Sequence, residues 1–525
     1  MPPFALRVCI SVFLACSVCY SQTETKVIAL DGAPNDQFGS SIDLHGETLI
    51  FGANWADIGI QNVGAAYIFN AQSGTPGPKL IPQDIEPGLF FGYSVSTNGT
   101  LSLVGAPFDS DQGYHSGSAY LFNSESGRQT AKLLANDGSN DYKFGWAVAI
   151  SENLVLVGAP GWGAQGSAYL FDATTGLQLS QLLPSDGESD DNFGCSVDID
   201  GDLVIVGANG DDDNGSVSGS AYIFDVSNPT SPVQTFKLVP SNGTSFDEFG
   251  LAVGVGSGLA VVGARFSDQV SLDGGAAYVF DASNGLELSN LTPRNLGNDD
   301  GFGCAVAISS ALIAVGALQD NGAGAGQTYL FNATDRSQIT TLEASDGLPN
   351  DRFGCAIAID QGIVAVGANL DDTLNGTDSG SAYILDLSSC ETHSYCIASP
   401  NTVSATGAPI SLDGLPSLSG NNMTLRADNL RPNQFGVFFY GPVKQDPPVS
   451  FGDGYRCVGT FDLKRLNPPV ATGTGTAQRA LDMTAMPLNS VQAGDTRYFQ
   501  FWYRDPGVIG AGYNLTDGLE ITFCP

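Results

Sequence analysis

The amino-acid sequence predicts an all-β fold: a seven-bladed β-propeller that its N-terminal strand closes, followed by a small C-terminal β-sandwich. Two features of a repeated segment lead to this prediction. A Phe-Gly pair opens each of seven repeat units, and an apolar run that ends in Gly-Ala follows it in every unit. A regular period of about 50 residues with several short strands per unit is typical of propeller blades. The pairs begin at Phe38, Phe91, Phe144, Phe193, Phe249, Phe302 and Phe353.

One repeat unit, residues 132–183, shows the strands that each blade should contain. An outer strand begins at Lys132, and the polar loop NDGSNDYK leads to an inner strand that starts at Phe144. The turn SEN separates this strand from a second one, the apolar run LVLVGA that begins at Leu154. The third strand, counted from the inner strand outwards, starts at Gly166. The segments are rich in β-branched and aromatic residues, and turn residues separate them. Each unit should therefore supply four short strands.

The two ends of the repeat array predict that the ring is closed. An outer strand rich in Leu or Val precedes every Phe-Gly pair, and the first such strand is residues 26–30. The last unit ends at Tyr383-Ile-Leu and has no outer strand after it. Residues 26–30 should therefore complete the last blade, which leaves no open sheet edge.

Composition divides the chain into three segments. Residues 1–21 place Arg7 before an apolar stretch and end in small residues, as a secretory signal peptide does. The alternative is a lipoprotein signal, with Cys16 as the lipidated residue. Residues 22–389 hold the repeats, and residues 390–525 alternate polar and apolar positions as the strands of a β-sandwich do. The sequence thus predicts a protein that is secreted or held at the cell surface, with no transmembrane segment.

The charge excludes some classes of partner. Asp and Glu total 55 against 20 Lys and Arg, so the formal net charge is −35. Nucleic acids and anionic membranes require a basic surface, which this balance does not provide. Residues 22–389 hold 44 of the acidic residues and 10 of the basic ones, so the charge belongs to the propeller. A cation or a basic partner suits it best.

Strand order predicts where the acidic residues lie. Because propeller strands alternate in direction, the loops from the second to the third strand and the loops that enter the next blade meet at one face, here called the loop face. Most of the acidic loops belong to these two sets. An Asp or Asn also stands seven residues before each Phe, a repetition that suits turn geometry better than one binding site. These residues are Asp31, Asp84, Asp137, Asp186, Asn242, Asn295 and Asp346.

The repeated pattern over residues 26–387 resembles the FG-GAP repeats of integrin α subunits and of many secreted bacterial proteins. The resemblance implies an extracellular propeller, usually without catalytic activity, that binds ligands or mediates adhesion and often holds calcium. Integrin-type calcium loops carry Asp-x-Asp-x-Asp-Gly between the first and second strands, where this chain has short hairpins such as SEN. Any calcium should therefore sit on the loop face. The candidate ligands are Asp109, Asp111, Asp211, Asp212, Asp213, Asp371, Asp372 and Asp378.

Aromatic residues in the same loops indicate a ligand surface. Exposed rings beside carboxylates can stack on sugars or anchor a peptide, whereas rings at the base of a loop can simply close the top of the propeller. The candidate ligand residues are Trp55, Phe108, Tyr114, Trp162 and Phe266.

The sequence shows few signs of catalysis. Of its three histidines, only His45 and His115 fall in the propeller, and strand order puts them on opposite faces. Nucleophile-elbow and zinc-protease motifs do not occur in the sequence. A carboxylate pair of the glycoside hydrolase kind is the remaining enzymatic alternative.

The cysteines fall into two groups. Three occupy one equivalent position in different blades, too far apart for disulfides, and should act as small buried apolar residues: Cys195, Cys304 and Cys355. Four others lie in the C-terminal segment, where an exported chain would form disulfides. We expect the pairs Cys396–Cys457 and Cys390–Cys524.

A binding function fits these observations best. The sequence predicts an exported, non-enzymatic binding or adhesion protein whose acidic loop face takes a protein or carbohydrate ligand, with calcium as a candidate cofactor. One alternative is an enzyme that degrades an extracellular polymer, either a glycoside hydrolase or a lyase. The other is a structural component of the cell envelope.

Overall fold

The computed structural model describes residues 23–293, 296–319, 324–387, 392–396, 401–404, 407–413, 423–473, 475–483, 488, 491, 495–506 and 512–523. These residues form 39 β-strands. Within these ranges there is no helix that is long and apolar enough to cross a membrane. The chain divides into two compact units, residues 24–386 and residues 387–525.

The first unit contains seven antiparallel sheets of four strands, one sheet for each repeat, and the prediction of seven blades is confirmed. Blades 1 to 3 consist of β2 (Ile42–His45), β3 (Thr48–Ala53), β4 (Ala65–Asn70) and β5 (Pro76–Leu80); β6 (Ser94–Thr97), β7 (Leu101–Ala106), β8 (Ser118–Asn123) and β9 (Gln129–Leu133); and β10 (Ala147–Ser151), β11 (Leu154–Ala159), β12 (Ser167–Asp172) and β13 (Gln178–Leu182).

Blades 4 to 7 follow the same order from the innermost to the outermost strand. They consist of β14 (Ser196–Asp200), β15 (Leu203–Ala208), β16 (Ser220–Asp225) and β17 (Val233–Leu238); β18 (Ala252–Gly256), β19 (Leu259–Ala264), β20 (Ala276–Asp281) and β21 (Glu287–Leu291); β22 (Val306–Ile308), β23 (Leu312–Ala317), β24 (Gln327–Asn332) and β25 (Gln338–Leu342); and β26 (Phe353–Asp360), β27 (Ile363–Ala368), β28 (Ser381–Asp386) and, from the N-terminus, β1 (Thr23–Val27).

The N-terminal strand closes the ring, as predicted. β1 pairs with β28 at the outer edge of blade 7, although the two strands lie at opposite ends of the propeller sequence. The innermost strands of consecutive blades contact one another all the way round, including β26 of blade 7 with β2 of blade 1. Blade 7 is therefore the point at which the two ends of the propeller chain are held together.

The second strand of each blade is apolar because neighbouring blades cover both of its faces. In β11, Val155 and Val157 pack with residues of blade 2, whereas Leu156 packs with residues of blade 4. All three side chains are fully buried. A run of apolar residues without alternation thus marks a strand in the middle of the stacked sheets.

The Phe-Gly and Gly-Ala pairs recur together because they contact each other across neighbouring blades. A Cβ atom on Gly158 of blade 3 would lie 2.1 Å from the carbonyl oxygen of Gly194 in blade 4. Gly194 itself has a φ of 94°, which other residues rarely adopt. Phe193, beside it, is fully buried against Tyr222, with 5.4 Å between the ring centroids. The motif therefore joins each blade to the next.

The second unit contains two principal sheets, which share one core and confirm the predicted sandwich. Residues from both sheets, among them Leu425 and Ala477 on one side and Phe438 and Phe501 on the other, form one buried cluster. The strands are β29 (Thr392–Ser394), β30 (Ile410–Asp413), β31 (Thr424–Ala427), β32 (Phe435–Gly441), β33 (Lys444–Phe451), β34 (Gly454–Val458), β35 (Lys464–Ala471), β36 (Ala477–Ala480), β37 (Thr496–Arg504), β38 (Tyr513–Leu515) and β39 (Leu519–Thr522). The larger sheet has the order β29-β39-β37-β32-β35 with β38 on β37, the smaller has the order β30-β31-β36, and β33 pairs with β34.

One of the two expected disulfides lies within the described residues. Cys396 and Cys457 are bonded, with their Cα atoms 6.2 Å apart, as expected. Cys390 and Cys524 lie outside the described residues. The three propeller cysteines, which were expected to be buried, are partly buried. Each thiol lies 3.5 to 3.6 Å from the glycine carbonyl oxygen of the Phe-Gly pair in the next blade: Cys195, Cys304 and Cys355.

Candidate functional site

The loops of neighbouring blades meet at one face, in agreement with the strand order. Gly64, at the end of the second-to-third loop of blade 1, forms a parallel bridge with Phe91, at the end of the loop that enters blade 2. Both sets of acidic loops therefore share the loop face. The bridge recurs as Gly117–Phe144, Gly166–Phe193, Gly219–Phe249 and Gly275–Phe302.

A lysine from an outer strand lies within the acidic cluster of blade 2. The Lys132 Nζ lies 2.5 Å from a carboxylate oxygen of Asp84, 2.8 Å from Asp109 and 2.6 Å from Asp111. Asp109 is buried, and its carboxylate also accepts a hydrogen bond of 2.8 Å from the Tyr120 hydroxyl. One carboxylate oxygen from each of the three aspartates lies within 4.8 Å of the other two, an arrangement that would suit a metal ion. Here the ammonium group lies between them.

Blades 4 and 7 repeat this arrangement with their own lysines. In each blade the lysine comes from the outer strand, and its partners come from two loops of the loop face. The buried aspartate of each cluster stands at the same place in the loop after the Gly-Ala pair. The distances are 2.9 Å for Lys237–Asp186, 2.8 Å for Lys237–Asp211, 2.7 Å for Lys26–Asp346 and 2.6 Å for Lys26–Asp371, and Lys237 also contacts Asp213.

These contacts keep the lysine and the buried aspartate of a cluster charged at neutral pH. Burial acts to lower the pKa of Lys132, but its hydrogen bonds to the three carboxylates outweigh this effect and raise the pKa. Burial acts to raise the pKa of Asp109, but the hydrogen bonds from Lys132 and Tyr120 lower the pKa. The pKa values of Lys237 and Asp211 shift in the same directions for the same reasons.

The clusters with a lysine in place do not fit a calcium ion. Calcium binds oxygen ligands at about 2.3–2.6 Å, so an ion bound by all three carboxylates of blade 2 would overlap the Lys132 ammonium. The other three candidate calcium ligands, Asp212, Asp372 and Asp378, do not take part in these ion pairs with lysine. Asp372 accepts a hydrogen bond of 2.9 Å from the backbone N–H of Asp378, and the Asp212 carbonyl accepts one of 3.0 Å from Gly215, so both contacts shape loops.

Five blades have an aspartate seven residues before the repeated Phe, and this aspartate holds the loop to its own blade. Asp31, for example, accepts hydrogen bonds from the Lys79 ammonium at 2.7 Å and from the Tyr67 hydroxyl at 3.1 Å. Asp137 accepts them from the Tyr169 hydroxyl at 2.9 Å and the Trp162 indole at 2.8 Å. The repetition therefore reflects a contact that several blades share.

Seven rings form a continuous patch on the loop face of blades 1 to 3. We call it the aromatic patch; it consists of Trp55, Phe90, Tyr93, Phe108, Tyr114, His115 and Trp146. Trp55 is 41% exposed and Tyr114 is 63% exposed, whereas the other rings are partly buried beneath and beside them. The centroid distances are 4.9 Å for Trp55–Phe90, 5.1 Å for Phe90–Phe108, 5.0 Å for Phe108–His115, 3.7 Å for His115–Tyr114, 6.1 Å for Phe108–Tyr93 and 4.7 Å for Tyr93–Trp146.

Charged groups of both signs border the aromatic patch. The Lys143 ammonium lies 5.3 Å from the centroid of the Trp146 ring. The Nδ1 atom of His115 lies 3.7 Å from a carboxylate oxygen of Asp141. The patch therefore combines exposed flat rings with hydrogen-bonding groups at its edge, which is the composition of many ligand sites.

The structure brings together three of the five predicted ligand residues: Trp55, Phe108 and Tyr114. Trp162 instead packs near Tyr142, with 6.3 Å between the ring centroids. Phe266 lies in blade 5, where its ring faces the Arg265 guanidinium at 5.0 Å. Neither ring belongs to the aromatic patch.

Sequence reasoning missed four members of the patch: Phe90, Tyr93, His115 and Trp146. A comparison of the seven repeats would have identified two of them. The second residue after the repeated Phe is Tyr93 in blade 2 and Trp146 in blade 3, and it is small or aliphatic in the other five blades. Those five residues are Ser40, Cys195, Leu251, Cys304 and Cys355.

Two carboxylates on the innermost strands form a separate polar feature. Asp198, on β14, accepts hydrogen bonds from the backbone N–H groups of Val255 at 2.7 Å and Ile199 at 2.8 Å. Asp43, on β2, likewise accepts one from the Thr97 N–H at 2.7 Å. Each carboxylate thus satisfies backbone donors on the inner edge of the following blade.

Asp198 should make stability depend on pH. Burial raises the pKa of Asp198 to about 7, although two backbone hydrogen bonds oppose the rise, and the negative charge of Asp43 adds to it. The fold therefore gains stability when Asp198 is protonated, and it loses that gain as the pH rises through about 7. A rise from 3.8 to about 7 corresponds to at most roughly 4 kcal/mol.

We expect Asp198→Asn to flatten the fall in unfolding free energy between about pH 4 and pH 7 that follows from this linkage. Urea unfolding at several pH values measures the effect. Asp202→Asn, an exposed residue in the adjoining turn, is the control and should keep the wild-type slope. An unchanged slope in Asp198→Asn would mean that Asp198 is ionised throughout this range.

Comparison with known proteins agrees with the repeat. The family model of the FG-GAP repeat matches residues 22–69, 78–122, 128–171, 177–224, 232–280, 286–331 and 337–385. Each match covers the three inner strands of one blade to within one residue, together with all or most of the outer strand of the preceding blade, so there is one match for every blade. A search of curated proteins finds no match for this chain.

Proposed function

Because this chain belongs to the FG-GAP repeat family, we propose that it is an exported binding protein that holds a neutral extracellular polysaccharide against the aromatic patch. The observation that carries the proposal is the concentration of seven contacting rings on three of the seven blades. The residues equivalent to Tyr93 and Trp146 in the other five blades are small or aliphatic. A ring built only to close the propeller would be needed in every blade.

The chemistry of the patch suits a sugar ligand. Sugar rings present C–H groups on one face and hydroxyls at the rim, so they can stack on an aromatic ring while their hydroxyls bind polar groups beside it. Trp55 and Tyr114 offer the exposed rings, and Asp141 and Lys143 supply polar groups at the border. The proposal assigns no catalytic step to these residues.

The charge of the propeller limits the kind of polysaccharide. With 44 acidic and 10 basic residues in residues 22–389, the domain repels polyanions such as uronic-acid or sulfated polymers. A neutral polysaccharide meets no such repulsion. A basic protein would be attracted instead to the acidic loops, and its binding would weaken as salt screens the charges.

The test uses the purified protein without residues 1–21. Native gels that contain laminarin, mannan, xyloglucan or dextran, together with sedimentation on cellulose and chitin, measure binding. We expect the protein to bind at least one of these neutral polymers, with little effect of salt. The double variant Trp55→Ala/Tyr114→Ala should lose about tenfold or more of the affinity, because one tenfold step requires only about 1.4 kcal/mol.

The matched control is Phe246→Ala, which removes an aromatic ring that is 63% exposed in the loop that enters blade 5. This variant should bind as the wild type does. Failure to bind any neutral polymer, or full binding by the double variant, would contradict the proposal. Binding of a basic protein that falls steeply with salt and ignores the patch variants would favour a protein ligand.

A further inference from the structure

We propose that the ammonium groups of Lys26, Lys132 and Lys237 are the resident cations of three acidic clusters on the loop face, and that a cluster becomes a divalent-cation site only when its lysine is removed. This inference is independent of the polysaccharide proposal. It also departs from the calcium that the family resemblance implies.

The first argument is the geometry of blade 2. The Lys132 Nζ lies 2.5 to 2.8 Å from three carboxylates whose oxygens are within 4.8 Å of one another. The Tyr120 ring covers another side of the ammonium, 5.2 Å from the centroid to Nζ, and its hydroxyl donates to Asp109. The charged group therefore has carboxylate oxygens and an aromatic face around it, as a bound cation would.

The second argument is that lysine and aspartate occur together in three blades and are both missing from two others. The outer-strand position that pairs with the repeated Tyr is Lys in blades 2, 4 and 7, and those blades have an Asp four residues after the glycine of the Gly-Ala pair. Blades 3 and 5 lack both residues: they have Gln181 with Trp162, and Asn290 with Ser267. In blade 6 the outer-strand residue is Thr341, and the loop residue Asp320 lies outside the described residues.

The third argument comes from blade 5, where neutral groups replace the ion pairs. Gln269 donates a hydrogen bond of 2.5 Å to the Tyr278 hydroxyl and accepts one of 2.9 Å from the Asn290 amide. The same space above the repeated Tyr is thus filled by amides when the buried aspartate is missing. In blades 2, 4 and 7, by contrast, the lysine compensates the charge of a buried carboxylate, which would be costly without a partner.

Blade 1 provides an internal control. It keeps a lysine, Lys79, but has Ala56 where the other three blades have the buried aspartate. Lys79 forms an ion pair of 2.7 Å with Asp31. Removing Lys79 therefore leaves a single exposed carboxylate, whereas removing Lys132 leaves three converging ones.

The experiment compares Lys132→Met with Lys79→Met and the wild type. Thermal unfolding is measured with calcium, with magnesium at matched ionic strength and with a chelator. Terbium luminescence excited through tyrosine reports direct binding beside Tyr120. We expect calcium and magnesium to shift the wild-type midpoint equally, since they only screen charge.

For Lys132→Met we expect a lower midpoint in chelator, a rise of several degrees that is specific to calcium, and terbium emission that the wild type and Lys79→Met do not show. Adding Asp109→Asn to Lys132→Met should abolish both the calcium-specific rise in midpoint and the terbium emission. If Lys132→Met does not fold, Lys132→Gln, which copies the Gln181 of blade 3, takes its place with the same expectation.

Two results would overturn the inference. One is a calcium-specific rise in the wild type that Asp109→Asn removes, because the carboxylates would then bind calcium with the lysine present. The other is a folded Lys132 variant with no response to calcium and no terbium emission, because the ammonium would then not occupy a cation position.

Discussion

A protein that begins at residue 31, without β1, is expected to unfold at a lower temperature and to self-associate. β1 completes blade 7, so its removal leaves the edge of β28 unpaired on the surface. The deletion also removes the buried Val27 and the Lys26 ammonium, which leaves Asp346 and Asp371 without their ion-pair partner. The lost strand hydrogen bonds and burial together amount to a destabilisation on the order of 5 kcal/mol.

Thermal unfolding and size-exclusion chromatography at several concentrations measure this effect. Leu30→Ser is the control, because Leu30 is 79% exposed and follows the strand. This variant should remain monomeric with a wild-type midpoint. A truncated protein that stays monomeric and unfolds with the wild type would show that blade 7 is stable with three strands and that closure contributes little.

The second large effect should come from a single repeated ring. Phe144 is fully buried, and its centroid lies 5.6 Å from those of Tyr169 and of Phe171. We expect Phe144→Ala to lower the free energy of unfolding by about 3–5 kcal/mol, because it removes a large apolar group and leaves a cavity between blades 2 and 3. Urea unfolding measures the difference.

Phe246→Ala provides the matched control, since it removes the same ring from an exposed position on the loop face. Its unfolding free energy should stay within about 0.5 kcal/mol of the wild type. A cost below about 1 kcal/mol for Phe144→Ala would mean that neighbouring side chains collapse into the space, and that the repeated Phe is not a main source of stability.

Much of the fold could be predicted from the sequence because each repeat contains its own strands and its own contacts with the next blade. The Phe-Gly spacing predicted the number of blades, and the unit that ends at Tyr383 without an outer strand predicted that β1 closes the ring. Glycine was informative for a physical reason. A side chain on Gly158 would collide with the carbonyl oxygen of Gly194, and one on Gly194 would collide with the carbonyl oxygen of Ser167.

The candidate site was predicted less completely. Strand order placed Trp55, Phe108 and Tyr114 on the correct face, but it did not show which rings touch. Tyr93 and Trp146 stand one residue before inner strands, and the search for ligand residues in the loops did not include them. They join the patch because the first turns of blades 2 and 3 lie side by side at the loop face.

The acidic clusters show the same division between sequence and structure. The sequence alone determined the seven blades, the closure and the acidic character of one face, because these follow from periodicity and from strand direction. Only the tertiary structure decided that Lys132 lies between Asp84, Asp109 and Asp111, since the lysine belongs to an outer strand and its partners to two separate loops. A long side chain can cross from a strand into a loop, so the position of its charge depends on packing and not on the place of the residue in the repeat.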